Sequence, residues 1–325
     1  MISAAQRASK VQRTFDRRNA TALIGLGALF AGRARGQVVE FTTSSRLTPL
    51  AEQPYTPPSS LTMVAIISRR MTAPVRIDGR GPFPFIVDTG ANQSVVSEEL
   101  ARQLRLPAGP SAPLNGVAGI QIVPTTVATL EIGDSVRDGV TLSLLPAAGI
   151  GAAGMLGLDG LEDKRITLDF RGETLRIESA GRLFRNPAEI AIKARRRNGQ
   201  LTLIDADLDG IPITAFLDSG AQNTIGNLAL LSRAERRAER RWVKIPILSA
   251  TGQTISAELA DLPHLRVGGL RLPNWPVAFA DLHTFRMWNL TDKPAILLGI
   301  DVLSRFETVC LDFARNEVRF RLPRV

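Results

Sequence analysis

The sequence predicts an all-β protein made of two homologous lobes, with one or two short helices in each. Two observations predict this. Short runs of β-branched and aliphatic residues are punctuated at brief intervals by Gly, Pro, Asp and Asn. Three sequence blocks also occur twice, in the same order. The first half carries Phe85-Ile86-Val87-Asp88-Thr89-Gly90-Ala91, then Met155-Leu156-Gly157-Leu158-Asp159, then Ile166-Thr167-Leu168-Asp169-Phe170. The second half carries Ala215-Phe216-Leu217-Asp218-Ser219-Gly220-Ala221, then Leu297-Leu298-Gly299-Ile300-Asp301, then Val309-Cys310-Leu311-Asp312-Phe313. Asp88 and Asp159 are 71 residues apart, and Asp218 and Asp301 are 83 apart. A repeat of three blocks in one order is a duplication and organises the whole chain.

The first 36 residues read as an export signal. They carry seven Lys or Arg against Asp16, a twin Arg17-Arg18, an apolar run from Ala20 to Ala31, and Ala34-Arg35-Gly36 before Gln37. The apolar run is too short to span a bilayer, so no stable membrane insertion is expected. The twin arginines suggest the Tat route, and the expected location is a bacterial periplasm or the exterior. Residues 37–59 contain Pro49, Pro54, Pro57 and Pro58 and read as an extended lead-in.

Lobe one is placed at 60–180. Strand character is read at Met63–Ser68, Val75–Ile77 and Gln121–Leu130, with Asp78-Gly79 as a hairpin turn. Ser97 can cap a helix over Glu98–Leu104, whose first turn holds two acids. Lobe two is placed at 188–323. It offers a strand at Leu201–Leu208, a turn at Asp209-Gly210 and a helix over 228–241. The charges from Arg233 to Arg241 alternate with Glu235 and Glu239 and read as a solvated helix face.

Composition narrows the function classes. Hydrophobic residues make up 44% and charged residues 22%, the balance of a globular chain, and aromatics at 5% leave the cores to aliphatic residues. The formal net charge is +9, but residues 1–36 hold +6 of it, so the body is only mildly basic and nucleic-acid binding is not expected. The lone Cys310 sits in an apolar run and allows no intramolecular disulfide. His264 and His283 lie in separate segments without metal-ligand spacing, so neither a metal nor another cofactor is expected.

Each apolar-Asp-Thr/Ser-Gly-Ala block with its downstream Leu-Gly-x-Asp resembles the active-site loop of the retropepsin-like aspartic proteases, in particular the two-lobed single-chain bacterial members related to pepsins. The resemblance runs from about residue 60 to the end. It implies two β-barrel lobes with an active-site cleft between them. It implies Asp88 and Asp218 as the catalytic pair, supported by Thr89, Gly90 and Ala91 and by Ser219, Gly220 and Ala221. By the same resemblance Thr89 and Ser219 hydrogen-bond across the lobe interface, and Leu156-Gly157 and Leu298-Gly299 thread behind the loops.

Two nearby carboxylates cannot both ionise cheaply, so one proton is shared and a water between them can be activated for attack on a peptide carbonyl. Flap candidates are Asn115–Gly119, with Gly116 and Gly119, and Ser249–Gln253, with Gly252. Pepsins carry a flap tyrosine, but the only tyrosine here is Tyr55, which favours the retropepsin-like branch. Asp159 and Asp301 read as caps of short turns at Gly160–Glu162 and Val302–Ser304, and Asp169 and Asp312 as structural.

These readings predict an endopeptidase acting on polypeptides. They also predict a monomer with pseudo-twofold symmetry, because one chain holds both half-sites. A non-catalytic peptide-binding module on the same fold is the alternative.

Overall fold

The computed structural model describes residues 66–67, 70–133, 135–161, 164–179, 186–197, 200–203, 206–235, 243–267 and 269–323. The segments expected to be an export signal and a lead-in, and Tyr55, lie outside the described residues, as do parts of the strand expected at Met63–Ser68 and of the helix expected over 228–241.

Lobe one begins with β1 (Ile66–Ile67), β2 (Arg70–Ile77) and β3 (Arg80–Val87). Asp78 and Gly79 join β2 to β3 with φ of 47° and 73°. Two successive left-handed residues make the tight hairpin turn for which Asp-Gly is suited. Next come β4 (Val95–Ser97), α1 (Glu98–Leu104), β5 (Ala112–Gly116), β6 (Gly119–Val123), β7 (Thr125–Ile132), β8 (Ser135–Leu145), α2 (Ala147–Ile150) and β9 (Gly154–Leu156). The single strand expected at Gln121–Leu130 is split at Pro124, which has no N–H for a ladder, so the chain leaves one sheet there and enters another. Ser97 Oγ accepts from Leu100 N–H and starts α1, as expected.

The sheet order is β1-β2-β3-β9-β4-β8-β7, and β2 also pairs with β7, which closes a six-stranded barrel. Burial alternates along β7, and inward residues such as Val75, Ile77, Phe85, Leu130 and Leu142 fill the interior. β5 and β6 stand apart as a two-stranded hairpin.

After a short 3-10 turn (Leu158–Gly160), β10 (Lys164–Asp169) and β11 (Thr174–Ser179) leave lobe one and pair into a sheet shared with the end of the chain. Lobe two follows with β12 (Glu189–Arg197), β13 (Gln200–Leu203), β14 (Ala206–Leu208), β15 (Ile211–Pro212), β16 (Thr214–Leu217), β17 (Ile225–Gly226) and α3 (Leu228–Glu235). It continues through β18 (Val243–Leu248), β19 (Thr254–Val267), β20 (Leu270–Phe279), α4 (His283–Met287), β21 (Ala295–Leu298), α5 (Ile300–Leu303), β22 (Thr308–Asp312) and β23 (Glu317–Arg321).

The pairings repeat those of lobe one. β16 runs parallel to β21 as β3 runs parallel to β9. Asp209 and Gly210 repeat the hairpin turn, with φ of 51° and 78°. Asn227 caps α3, its Oδ1 accepting from Leu230 N–H, at the position that Ser97 occupies in lobe one. β10 pairs with β22 and β23 with β12, so strands from both halves share one sheet joining the lobes. Apolar burial from both halves is continuous across it, Ile166, Leu168, Val309, Leu311 and Val318 all being inaccessible or nearly so.

Candidate active site

Each lobe delivers one aspartate by the same construction. β3 ends at Val87 and β16 at Leu217, and the next residue in each is the aspartate. The parallel neighbour holds the strand end from below. Asp88 N–H donates to Leu156 C=O and Asp218 N–H to Leu298 C=O, each at 3.0 Å. The chain then passes behind the loop, where Leu158 N–H reaches Ala91 C=O and Ile300 N–H reaches Ala221 C=O. Gly157 and Gly299 lie against the backbones of Gln93 and Asn223, where an added Cβ would stand only 2.6 Å away. This approach is why the repeated Leu-Gly blocks carry glycine.

Two backbone N–H groups hold each carboxyl. Asp88 Oδ1 accepts from Gly90 at 2.8 Å and Ala91 at 3.0 Å, and Asp218 Oδ1 accepts from Gly220 at 3.0 Å and Ala221 at 2.9 Å. Among the described residues, neither Oδ2 meets an N–H or hydroxyl donor, and the two carboxyls face each other as hydrogen-bond partners. The carboxyl of each rests against the opposite loop's glycine. A Cβ on Gly90 would lie 2.5 Å from Asp218 Oδ2, and one on Gly220 would collide with the Asp88 carboxyl.

Both aspartates are wholly buried. Burial raises the pKa of each carboxyl, with backbone N–H groups pulling partly back. Asp218 is pushed further, because the negative charge of Asp88 adds to the effect of burial. A pair in this state holds one proton over a wide pH range.

Thr89 and Ser219 interlock across the lobes. Thr89 Oγ1 donates to Leu217 C=O at 2.8 Å and accepts from Ser219 N–H at 3.0 Å. Ser219 Oγ donates to Val87 C=O at 2.6 Å and accepts from Thr89 N–H at 3.1 Å. All four bonds are buried and reciprocal, so neither loop can shift without the other.

Both flap segments lie at hairpin tips above the aspartates. Residues 117–118 join β5 to β6, and residues 249–253 join β18 to β19. Gly119 and Gly252 have φ of 144° and 80°, which a side chain would strain. Gly116 faces Thr251, so the hairpins meet, and Gln121 Nε2 donates to Thr251 C=O at 3.4 Å. Each tip buries an apolar residue in the other lobe: Val117 packs with Phe216 and Trp288, and Ala250 with Ile86, Leu114 and Met155. Beneath lies a cavity of about 300 Å³, lined by Asp88, both tips and apolar walls that include Leu145, Met287 and Trp288.

Several contributors were not legible in the sequence. Trp288 forms a cleft wall and stacks on Phe216 at 3.9 Å. Gln200 Nε2 donates to Gly90 C=O, and Arg70 lies buried near the pair. Both stand 18 residues before an aspartate, and that constant offset was the available signal.

The capping expected of Asp159 and Asp301 is not what the structure shows. The turns begin earlier, at Leu158 and Ile300, and neither is capped by a side chain. Asp159 accepts from the N–H and Oγ of Ser94, and Asp301 from Thr224 Oγ1 and Trp275 Nε1, so both brace the chain just past the Asp88 and Asp218 loops. Burial outweighs these bonds at Asp301 and raises its pKa to about 6. Asp169 and Asp312 hold local turns through Gly172 and Arg315 N–H. Among the described residues, no three His, Cys, Asp or Glu are placed to hold one metal ion, and no helix is long and apolar enough to cross a membrane.

A family model for aspartyl proteases matches residues 73–159 and 204–302, one segment in each lobe and together more than half of the chain. A comparison with curated proteins gave no match.

Proposed function

The chain belongs to the aspartyl protease family, and from that premise we propose that it is an endopeptidase in which Asp88 and Asp218 activate one water molecule. The observation that carries this reading is the pair of buried carboxyls, each fixed at Oδ1 by backbone N–H groups and facing the other, with no N–H or hydroxyl donor at Oδ2 among the described residues.

With one proton on the pair, the ionised carboxylate takes a proton from water while the neutral partner donates its proton to the scissile carbonyl oxygen. Hydroxide adds to the carbonyl carbon and a tetrahedral diol forms. The carboxyl that received the proton then gives it to the amide nitrogen. The C–N bond breaks as the other carboxylate recovers a proton from the diol. The cycle ends with the pair carrying its single proton again, and no covalent enzyme intermediate forms. Enclosure under both hairpins strengthens these interactions by excluding water.

The substrate we propose is an extended polypeptide, supported by a cleft with apolar walls between two β-hairpins. We propose a monomer, since one chain supplies both half-sites, and export guided by residues 1–36, supported by their basic-apolar-small order.

The test is cleavage of a diverse peptide pool from acidic to neutral pH by the full chain, beside Asp88→Asn and Asp218→Asn. Turnover abolished by both substitutions is expected. Turnover surviving in either would refute the shared pair. A folded wild type that binds peptides without cutting them would establish a binding module instead.

A further inference from the structure

The two active-site loops are near copies of each other, yet the residues packed beneath them differ in charge. Thr72 pairs with Ile86 in lobe one and Thr202 with Phe216 in lobe two. In both lobes the threonine therefore faces the residue two places before the aspartate. Continuing that register outward by two residues sets Arg70 beside Asp88 and Gln200 beside Asp218. Both side chains are about 2% exposed. Arg70 uses Nη2 to donate to Ile150 C=O at 3.0 Å, while its Nε and Nη1 find no acceptor among the described residues. Gln200 is neutral and bonds the opposite loop at Gly90 C=O. One lobe thus carries a buried cation with unspent donors where the other carries an amide.

We infer that Arg70 is the positioning residue that breaks the symmetry of the pair, holding Asp88 as the ionised base and leaving the shared proton on Asp218. The inference rests on the reading of these two aspartates as a hydrolytic pair. Nothing in the loops themselves distinguishes them, since each Oδ1 receives two backbone N–H bonds of like length. Among the described residues, the charged groups acting on the pair are the two aspartates and Arg70. The residues lining the cavity add no other charge, Asp88 being the sole ionisable group among them. The guanidinium acts more strongly on Asp88 than on Asp218, and it lowers the pKa of Asp88 against the effect of burial. Burial lowers the pKa of Arg70 itself, but only to about 10, so it stays charged from acidic to neutral pH. A neighbouring arginine lowers a carboxyl pKa by about 1–3 units, enough to decide which of two equivalent carboxyls ionises first.

The experiment reads the protons directly and does not depend on turnover. The full chain is labelled with aspartate carrying ¹³C at the side-chain carboxyl, and the two signals are assigned by their loss in Asp88→Asn and Asp218→Asn. Each is then followed through a pH titration. In the wild type the lower step is expected at Asp88. Arg70→Gln, which copies the lobe-two residue, should raise that step by about one unit or more, and Arg70→Lys should return it towards wild type. The acid limb of cleavage of denatured casein should move up by the same amount in Arg70→Gln.

The lower step falling on Asp218 in the wild type overturns the inference whether or not the variants fold. So does a folded Arg70→Gln whose lower step moves by less than about half a unit. Absence of cleavage by a wild type with normal titration would strike the proposed activity and leave the proton assignment standing.

Discussion

The cross-lobe lock can be tested with one methyl-for-hydroxyl exchange. Thr89→Val keeps the side-chain volume and removes Oγ1. In the structure Oγ1 serves Leu217 C=O and Ser219 N–H inside a fully buried contact. Both groups would be left unpaired, and each buried orphan costs about 1–3 kcal/mol, so the expected loss is about 2–6 kcal/mol. Thr89→Ser keeps both bonds and gives up one methyl, which predicts only about 1 kcal/mol. Ser219→Ala orphans Thr89 N–H and Val87 C=O in the same way. The four bonds form one network, so the double variant should cost less than the sum of the singles. Urea unfolding followed by tryptophan fluorescence measures stability, and peptide cleavage by the same preparations measures the effect on the pair. Loops displaced by about 1 Å should lose about a hundredfold in rate. A Thr89→Val protein within about 0.5 kcal/mol of wild type, or Thr89→Ser as damaged as Thr89→Val, would show that these bonds do not hold the loops.

Three further outcomes follow from the geometry. Gly90→Ala and Gly220→Ala each place a methyl against the opposite carboxyl, so each should lose at least about a hundredfold in cleavage while circular dichroism stays native, and wild-type rates would contradict the packing described. Asp301 has a raised pKa of about 6, so its contribution favours folding below its unfolded value and is lost as the pH rises through 6. The residue is only partly buried, so the stability gap between wild type and Asp301→Asn should change by no more than about 2 kcal/mol between pH 4 and pH 7, and parallel pH profiles would count against it. Cys310 is 8% exposed and burial raises its thiol pKa, so a thiol reagent should label it only after unfolding, and rapid labelling of native protein would show that the site opens.

The duplication, the all-β class, the two aspartate loops and the Asp-Gly hairpins were all legible in the order of residues. These depend on local chemistry: a left-handed turn needs Asp-Gly, a capped helix needs Ser97, and a strand that ends in Asp-Thr-Gly-Ala says so within seven residues. The split at Pro124 was legible in principle, since a proline cannot sit inside a paired ladder.

What meets what over more than a hundred residues emerges only on folding. The Thr89–Ser219 lock was expected from family resemblance, but its four bonds exist only because two strand ends converge. Asp159 and Asp301 looked like caps because Asp favours helix starts, yet burial beside Ser94 and Thr224 gave their oxygens closer donors. Val117 and Ala250 are ordinary small residues in a turn until each is seated in the other lobe's core. Arg70 reads as one basic residue among 40 Lys and Arg, and becomes distinctive only when strand pairing removes it from water beside Asp88. The physical reason is common to all of these: hydrogen-bond and charge energies depend on distance and burial, and the fold sets both.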